Sequence, residues 1–467
     1  LWAGGWERGT RYAALQTMND AIQVYHELLL QDDLALASHA MLEDQLRRRR
    51  MVFGDRPLCT VLRPRFFSPE AFRVLGHRML SLMGAFHRAH EAAMADAAVR
   101  AQFQLAEWEE QLVLADPGYS SPSPHGRLDC FQVDATDTLA LTEYNAETPA
   151  GAGFNDLLAD CFAVIPVMRA FRQRFDVRPV PARPGVAAAI LDAWREFSGR
   201  WEGPRIAIAD WDDVPTRTEF EIFQAYFRSL GLEAVIVDPR AMEYRGGRLH
   251  AGGGPVDLIY KRVLINELVE REGMEHPMVR AVRDRAVCMV NPFRCKILHK
   301  KASLAVLSDE RNSRLFSRDQ AGAIQSHVPW TRVVEERMTH FRGKPVDLVA
   351  FVAAERERLV LKPNDDYGGA GVVLGWTVTA EAWSAALKTA LERPYIVQER
   401  VVIPAEPYPS VVDGTLQLAD RMLDTAPFVV NGGGMDGCLT RLSTAALLNV
   451  TAGGGSTVPC FVVEKRA

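Results

Sequence analysis

The chain has 467 residues, 48% of them hydrophobic and 24% charged, and a formal net charge of −5. This composition is typical of a globular protein, and the length predicts more than one domain. The acidic balance argues against a nucleic-acid partner, and the lack of a membrane-spanning apolar run predicts no membrane partner. Seven dispersed cysteines without a C-x-x-C pair indicate reduced thiols, as expected in the cytoplasm.

Periodicity and turn residues divide the chain into four predicted segments. Apolar residues at helical spacing predict a helical N-terminal region over 1–125. The segment 126–175 is predicted to contain two short strands, followed by one helix that ends near residue 175. Strand–helix–strand alternation over 176–290 predicts a small α/β domain with parallel strands. The segment 291–467 contains a helix near 297–307, strands at 359–361, 371–375 and 395–399, and two glycine runs. The sequence thus predicts a mixed α/β protein.

Polar residues alternate along the two strands of the second segment. Glu143 and Asn145 are two positions apart, so they face the same side of a strand. With a three-residue loop at 135–137, Asp129 lies opposite Glu143 and Arg127 lies opposite Asn145. Two carboxylates and an amide on one face suit Mg²⁺. A solvated hairpin face with a salt bridge is the alternative.

A lysine precedes a glycine-rich stretch near residue 365. Lys362 ends a predicted strand, and Gly368, Gly369 and Gly371 follow within nine residues. A lysine at a strand end can reach phosphate oxygens, and glycines let the backbone close over phosphates. The spacing differs from the P-loop pattern because the lysine comes first. An ordinary turn is the alternative interpretation.

Three further elements have both a functional and a structural interpretation. The strand ending at Gln398-Glu399, followed by Val401, can offer backbone groups to a flat base or can be a plain buried strand. Arg441 can meet a phosphate or can serve the structure. Lys261-Arg262 can line an acidic substrate's pocket or can form a surface salt bridge.

Together these elements resemble the circularly permuted ATP-grasp proteins, in particular the glutathionylspermidine synthase-like group. Arg127-Leu128-Asp129 resembles its Arg-x-Asp, and the stretch from Glu143 to Pro149 resembles its Glu-x-Asn-Ala-Asp-Thr-Pro. Lys301 and Lys362 match its two ATP lysines. The metal hairpin precedes the α/β domain here, and the lysines come last, as in the permuted order. The resemblance covers roughly 126–467.

The resemblance implies a circularly permuted ATP-grasp fold with a helical N-terminal region. It also implies a pre-ATP-grasp α/β domain, the small domain that comes first in the usual ATP-grasp order. It implies ATP and Mg²⁺ as cofactors. The ATP-binding residues would be Lys301, Lys362, Gly368, Gly369, Gly371, Gln398, Glu399 and Val401. The metal-binding residues would be Asp129, Glu143 and Asn145, and the arginines acting on the transferred phosphate would be Arg127 and Arg441.

The implied activity is a ligase that joins a carboxylate to an amine through an acyl phosphate. The expected partners are small-molecule or peptide carboxylates and amines. Two alternatives stay open: an ATP-grasp phosphotransferase that stops at a phosphorylated product, and a non-catalytic nucleotide-binding module.

Overall fold

The computed structural model describes residues 6–53, 56–134, 136–366, 368–444 and 455–466. The predicted loop residues Ala135 and Tyr367 and most of the glycine run at 453–455 therefore lie outside the described residues. Within the described ranges, no helix is both long enough and apolar enough to cross a membrane. The seven cysteines are all buried and unpaired.

The N-terminal region is mainly helical, as predicted, and it also contains short strands. Its described elements are α1 (Trp6–Leu29), α2 (Leu34–Arg48), β1 (Val52–Phe53), β2 (Arg56–Pro57), β3 (Arg65–Phe67), α3 (Pro69–Ala95), α4 (Ala97–Ala101) and α5 (Glu107–Val113). Ser68 caps α3 by accepting a hydrogen bond from the Ala71 N–H. Strand β3 was not predicted because its partner lies near the other end of the chain.

The predicted hairpin consists of β4 (His125–Val133) and β5 (Thr138–Asn145). Asp129 is paired with Glu143 and Arg127 with Asn145, as predicted. The prediction of a three-residue loop was wrong, because Val133 pairs with Thr138 and four residues separate the two paired positions. A bulge that leaves Thr142 unpaired shifts the register by one residue and restores the predicted pairs.

The helix predicted to about residue 175 is interrupted. It consists of α6 (Ala152–Val164) and α7 (Pro166–Phe171), because Ile165 is extended and Pro166 starts a new helix. The next elements are β6 (Phe175–Pro179) and α8 (Arg183–Ser198).

The α/β region contains a parallel sheet, as predicted. Its elements are β7 (Ile206–Ala209), α9 (Arg217–Ser229), β8 (Ala234–Val237), β9 (Glu243–Arg245), β10 (Arg248–Ala251), β11 (Gly254–Pro255), β12 (Leu258–Lys261), α10 (Ile265–Glu272), α11 (Pro277–Arg283) and β13 (Cys288–Val290). The parallel strands follow the order β13-β12-β7-β8, and β9 to β11 form a separate antiparallel sheet. The four buried residues of β7 are typical of a strand covered on both faces.

The region that carries both predicted ATP lysines forms a second small sheet with flanking helices. Its elements are α12 (Cys295–His299), α13 (Ala302–Ser308), α14 (Arg318–His327), β14 (Thr331–Val333), β15 (Met338–Phe341), β16 (Lys344–Asp347), α15 (Leu348–Ala354), β17 (Leu359–Pro363), β18 (Val373–Leu374), α16 (Ala380–Glu392) and β19 (Tyr395–Glu399). The sheet order is β14-β19-β17-β18.

Two predictions in this region were wrong in detail. The predicted helix 297–307 is two helices, because the backbone of Lys300 leaves helical geometry at ψ 131°. The predicted strand 371–375 is reduced to β18, because residues 375–377 form a 3₁₀ turn.

The C-terminal strands and the hairpin belong to one large sheet. The strands are β20 (Ala405–Val412), β21 (Thr415–Leu423), β22 (Ala426–Val430), β23 (Gly434–Ser443) and β24 (Ser456–Lys465). The order is β20-β21-β23-β22-β4-β5, and β24 lies beside β23 and also pairs with β3 and β6. In this order β22 lies between β23, which carries Arg441, and β4, which carries Asp129. The four predicted segment boundaries stay a prediction.

Candidate active site

A cleft between the hairpin, strand β17, the end of β19 and strand β23 collects most of the predicted site residues. It encloses about 1050 Å³ of empty space, including its open mouth. The predicted residues that line it are Asp129, Glu143, Lys301, Lys362, Gly368, Gly369, Gln398, Glu399, Val401 and Arg441. Arg127, Asn145 and Gly371 are not among its lining residues. The structure therefore brings together groups separated by about three hundred residues in the sequence.

Asp129 is the most heavily paired carboxylate of the cleft. Arg127 donates to its two oxygens at 2.7 and 2.9 Å, and Arg441 donates to Oδ2 at 2.7 Å. The side-chain amide of Asn145 donates to the same oxygen at 3.1 Å. Burial alone would raise the pKa of Asp129, but the two arginine charges outweigh burial and hold the pKa well below its usual range. Arg127 thus acts on the cleft through Asp129, and Asn145 is hydrogen-bonded to the same carboxylate.

The two lysines contact strand β5 of the hairpin. Lys301 Nζ lies 2.9 Å from Glu143 Oε1 and donates to the carbonyl of Asp366 at 2.6 Å. Lys362 Nζ donates to Gln398 Oε1 at 2.7 Å and to the carbonyl of Thr142 at 3.2 Å. Thr142 is the residue that the bulge leaves unpaired in the hairpin. Both ammonium groups therefore lie at the carboxylate end of the cleft.

The glycine-rich loop has the backbone geometry that requires glycine. Gly368, Gly369 and Gly371 have φ of 65°, 79° and 67°, in the left-handed region. A Cβ on Gly371 would lie 2.6 Å from Pro363 Cγ, so a side chain there would displace the loop. Gly371 therefore shapes the loop from outside the cleft, while Gly368 and Gly369 line the cleft.

The cleft also has apolar lining residues outside the hairpin, from β17, residues 372–376 and the segment after β19. They are Val360, Val372, Leu374, Trp376, Val401 and Ile403. The guanidinium carbon of Arg400 lies 4.2 Å from the ring centroid of Trp376. The cleft thus combines charged side chains with apolar side chains that suit a flat group.

Asp424 is a residue of the cleft that sequence reasoning missed. It lines the cleft beside Asp129, and it accepts hydrogen bonds from the backbone N–H and Nε of Arg441, at 2.6 and 2.5 Å. Burial raises the pKa of Asp424, and the neighbouring Asp129 charge adds to that effect, against Arg441. No local pattern indicates it, because the bridge between Cys130 and Thr425 that places it is non-local.

Lys261 and Arg262 are buried and outside the cleft lining, so the expected surface salt bridge was wrong. Lys261 Nζ lies 3.0 Å from Glu147 Oε1. Arg262 Nη2 lies 3.3 Å from Glu219 Oε2. Both arginine and lysine are therefore parts of buried ion pairs.

The predicted magnesium ligands fit the ion in chemistry. Asp129, Glu143 and Asn145 offer two carboxylates and an amide on one face, the oxygen donors that Mg²⁺ prefers. In the ranges that the structure describes, no group of three or more His, Cys, Asp or Glu side chains has the arrangement of a metal site. To bind the ion, Asp129 would have to give up its contact with Arg441, and Glu143 its contact with Lys301. The magnesium site stays a prediction.

The charge of Lys362 predicts a pH dependence of nucleotide binding. Burial lowers the pKa of Lys362 to about 8; the Lys301 ammonium also lowers it, and Glu143 opposes the change. If the Lys362 ammonium contacts phosphate, the protein should bind a non-hydrolysable ATP analogue up to about tenfold more weakly at pH 9 than at pH 8. The reason is that the fraction of Lys362 that carries a charge decreases over this range. Calorimetric titration from pH 7 to pH 10 measures this change.

Lys362→Arg is the control for that titration, because arginine stays charged over the whole range. Its affinity should remain flat above pH 8. A wild-type affinity that is constant from pH 7 to pH 10 would contradict a phosphate contact by Lys362.

Comparison with known proteins bears on the fold. No protein-family model matches the chain. An uncharacterized protein from Mycobacterium leprae (strain TN) is 25% identical over 313 residues, which are 62% of this chain and 51% of that protein. The chain therefore spans about half the length of this curated relative.

Among solved structures, the chain is similar to a glutathione synthetase-like effector from Globodera pallida, determined in its apo form. The two share 15% sequence identity at a TM-score of 0.56, over 93% of this chain and 94% of that one. A RimK domain ATP-grasp protein from Sphaerobacter thermophilus superposes far less well, with 17% identity and a TM-score of 0.27 over 56% of this chain and 90% of that one. The predicted mixed α/β class is confirmed, and the chain is similar in fold to the glutathione synthetase-like effector. The circular permutation stays a prediction.

Proposed function

We propose that this chain is an ATP- and magnesium-dependent ligase that joins a carboxylate to an amine. The observation that supports the proposal is the mixed lining of the cleft. Lys301 and Arg441 contact the carboxylates of Glu143 and Asp129, and Lys362 contacts Gln398. Apolar side chains such as Trp376 and Val401 line the same cleft. A nucleotide has the complementary halves, a flat base and a charged triphosphate. The likeness in fold to a glutathione synthetase-like protein is consistent with this reaction class.

The chemistry proceeds in two balanced steps. A carboxylate oxygen of the substrate attacks the γ-phosphorus of ATP, and the bond from that phosphorus to the bridging oxygen of ADP breaks. The amine nitrogen then attacks the acyl carbon, the carbon–oxygen bond to phosphate breaks, and the amine loses a proton. The products are an amide, ADP and phosphate. Phosphorylation is needed because oxide is a poor leaving group and phosphate is a good one.

Each charged residue has a role in the first step. Lys301 and Lys362 hold the phosphates as point charges, and the loop with Gly368 and Gly369 closes over them. Arg441 faces the transferred phosphoryl group, and Arg127 keeps Asp129 oriented. Magnesium, held by Asp129, Glu143 and Asn145, would neutralise phosphate charge that develops during transfer. These preorganised charges lower the barrier because the cleft needs no solvent reorganisation.

The test is ADP release with magnesium across a panel of carboxylates and amines, with hydroxylamine as a trap for the acyl phosphate. A ligase releases ADP and phosphate at a rate that depends on both a carboxylate and an amine. ADP formation together with a stable phosphorylated product and no amine dependence would identify a phosphotransferase. ATP binding without turnover for any pair would identify a nucleotide-binding module.

A further inference from the structure

Six charged side chains form a continuous buried series of ion pairs outside the cleft, which we call the buried ion chain. In spatial order it consists of Lys261, Glu147, Lys296, Asp365, Lys300 and Glu109. The successive nitrogen–oxygen distances are 3.0, 3.0, 2.8, 2.9 and 2.8 Å. Asp365 is 19% exposed, and the other five side chains are at most 6% exposed. Three positive charges balance three negative charges.

The buried ion chain connects parts of the molecule that are distant in sequence. Lys261 ends strand β12 of the parallel sheet, and Glu109 lies in helix α5 of the N-terminal region. Lys296 and Lys300 lie in and just after helix α12, directly before the phosphate lysine Lys301. Asp365 belongs to the glycine-rich loop. One series of contacts therefore joins the α/β region, the N-terminal helices and the loop.

The loop is fixed on both sides of Asp365. The Asn364 side chain accepts a hydrogen bond from the Ala302 N–H at 2.8 Å, and its carbonyl accepts one from the Lys301 N–H at 2.9 Å. The carbonyl of Asp366 accepts from the Lys301 ammonium at 2.6 Å. A shift of Asp365 would consequently move the loop against Lys301, which is a proposed phosphate contact.

Stability alone does not account for such a series. Removing charges from water is costly, and apolar residues of the same volume often stabilise a fold as well as a buried ion pair. Burial would raise the pKa of Asp365, but Lys296 and Lys300 hold the pKa at about 2, so the carboxylate is charged at neutral pH. A charged group with two fixed partners defines a position more narrowly than apolar packing does, because its oxygens must meet both ammonium groups.

We propose that Asp365 and its partners Lys296 and Lys300 are positioning residues that set the glycine-rich loop and Lys301 for the triphosphate before nucleotide binds. The proposal rests on the proposed function only in assigning phosphate binding to this end of the cleft. It assigns no contact with substrate to the buried ion chain. None of its six residues lines the cleft. Its link to the cleft runs through the neighbours of Asp365 to Lys301, the proposed phosphate contact.

The test compares Asp365→Asn with Glu406→Gln in the full chain. Glu406 is a matched control because it is also a carboxylate between two buried cations, Arg63 and Arg65, and it is outside the cleft lining. Calorimetry with three probes, a non-hydrolysable ATP analogue, inorganic tripolyphosphate and adenosine, separates the triphosphate end from the base end. Thermal unfolding of each variant measures the general loss of stability.

Asp365→Asn should weaken binding of the ATP analogue and of tripolyphosphate by the same factor, about tenfold. This is the affinity change expected when one charge-assisted hydrogen bond to phosphate is lost. The substitution should leave adenosine affinity unchanged. Glu406→Gln should lower the unfolding temperature comparably and leave all three affinities unchanged. If Asp365→Asn does not fold, Lys300→Met, which leaves Lys296 as a partner of Asp365, should give a smaller loss with the same pattern.

Two outcomes would overturn the inference. One is unchanged tripolyphosphate affinity in folded Asp365→Asn or Lys300→Met, and the other is an equal loss for all three probes. If the wild-type chain binds neither the ATP analogue nor tripolyphosphate, the proposed function fails instead. The wild-type titration therefore distinguishes the two failures.

Discussion

Glu143→Gln is expected to keep the fold and to lower the rate of ATP-dependent turnover by about 10²-fold or more. The amide has nearly the same shape, and its oxygen can still accept the hydrogen bond from Lys301, whose Nζ lies 2.9 Å from Glu143. The variant loses the negative charge that would hold magnesium. Steady-state ADP release measures the rate, and circular dichroism checks the fold.

The magnesium dependence of the same variant gives a sharper result. The metal concentration needed for half-maximal activity should rise, because one of two carboxylates facing the ion is neutral. Asp134→Asn is the control, since Asp134 lies at the turn of the same hairpin, contacts Arg65 and is outside the cleft lining. Wild-type turnover and magnesium dependence in Glu143→Gln would show that Glu143 holds no metal.

Arg441→Met is expected to have the largest effect on stability in the cleft. The arginine bridges Asp129 and Asp424. Within the ranges that the structure describes, its loss leaves the Asp424 side chain with the backbone N–H of residue 441 as its one hydrogen-bond donor. Removing one partner of a buried ion pair costs about 3–5 kcal/mol, and the 24% exposure of Arg441 favours the lower value. Urea unfolding at pH 7 measures the change in the free energy of unfolding, and turnover should be lost as well.

The pH dependence of that loss identifies its origin. Without Arg441 the already raised pKa of Asp424 rises further above its value in the unfolded chain. A carboxyl group whose pKa is higher in the folded than in the unfolded chain lowers the free energy of unfolding at pH values above its pKa. Protonation of the group at lower pH removes this loss. The difference between wild type and variant should therefore shrink as pH falls from 7 towards 4.

A double variant provides the control for Arg441→Met. Arg441→Met with Asp424→Asn should recover part of the lost stability at pH 7, because the unpaired charge is removed with its partner. An unfolding free energy of Arg441→Met within about 0.5 kcal/mol of wild type would contradict the bridging role.

The sequence predicted the parts of the site that depend on local periodicity. The pairing of Asp129 with Glu143 follows from alternation along two strands joined by a short turn. The pair was correct although the predicted loop was one residue short, since the bulge at Thr142 shifts the register back. The strand before Lys362 and the positive φ of Gly368 could likewise be expected from residue type and spacing.

The parts that the sequence could not predict depend on contacts between distant segments. Asp424 enters the cleft because Thr425 bridges to Cys130. Lys261 had two interpretations, a substrate pocket or a surface salt bridge. It pairs instead with Glu147 in the interior, where lysine is rarely found. Glu147 itself lay within a recognised motif, but nothing local indicated its two lysine partners. Such pairings require the tertiary structure.

The large sheet has a consequence for the order in which the molecule assembles. Strand β22 joins the hairpin to β23, so Arg441 can reach Asp129 only after the roughly three hundred residues between them have been synthesised. Pairings between such distant strands form slowly, because a long stretch of chain must be closed first. During synthesis Asp129 has Arg127 nearby and lacks its second arginine. We therefore expect the cleft to mature in the last phase of folding, after the helices and the parallel sheet.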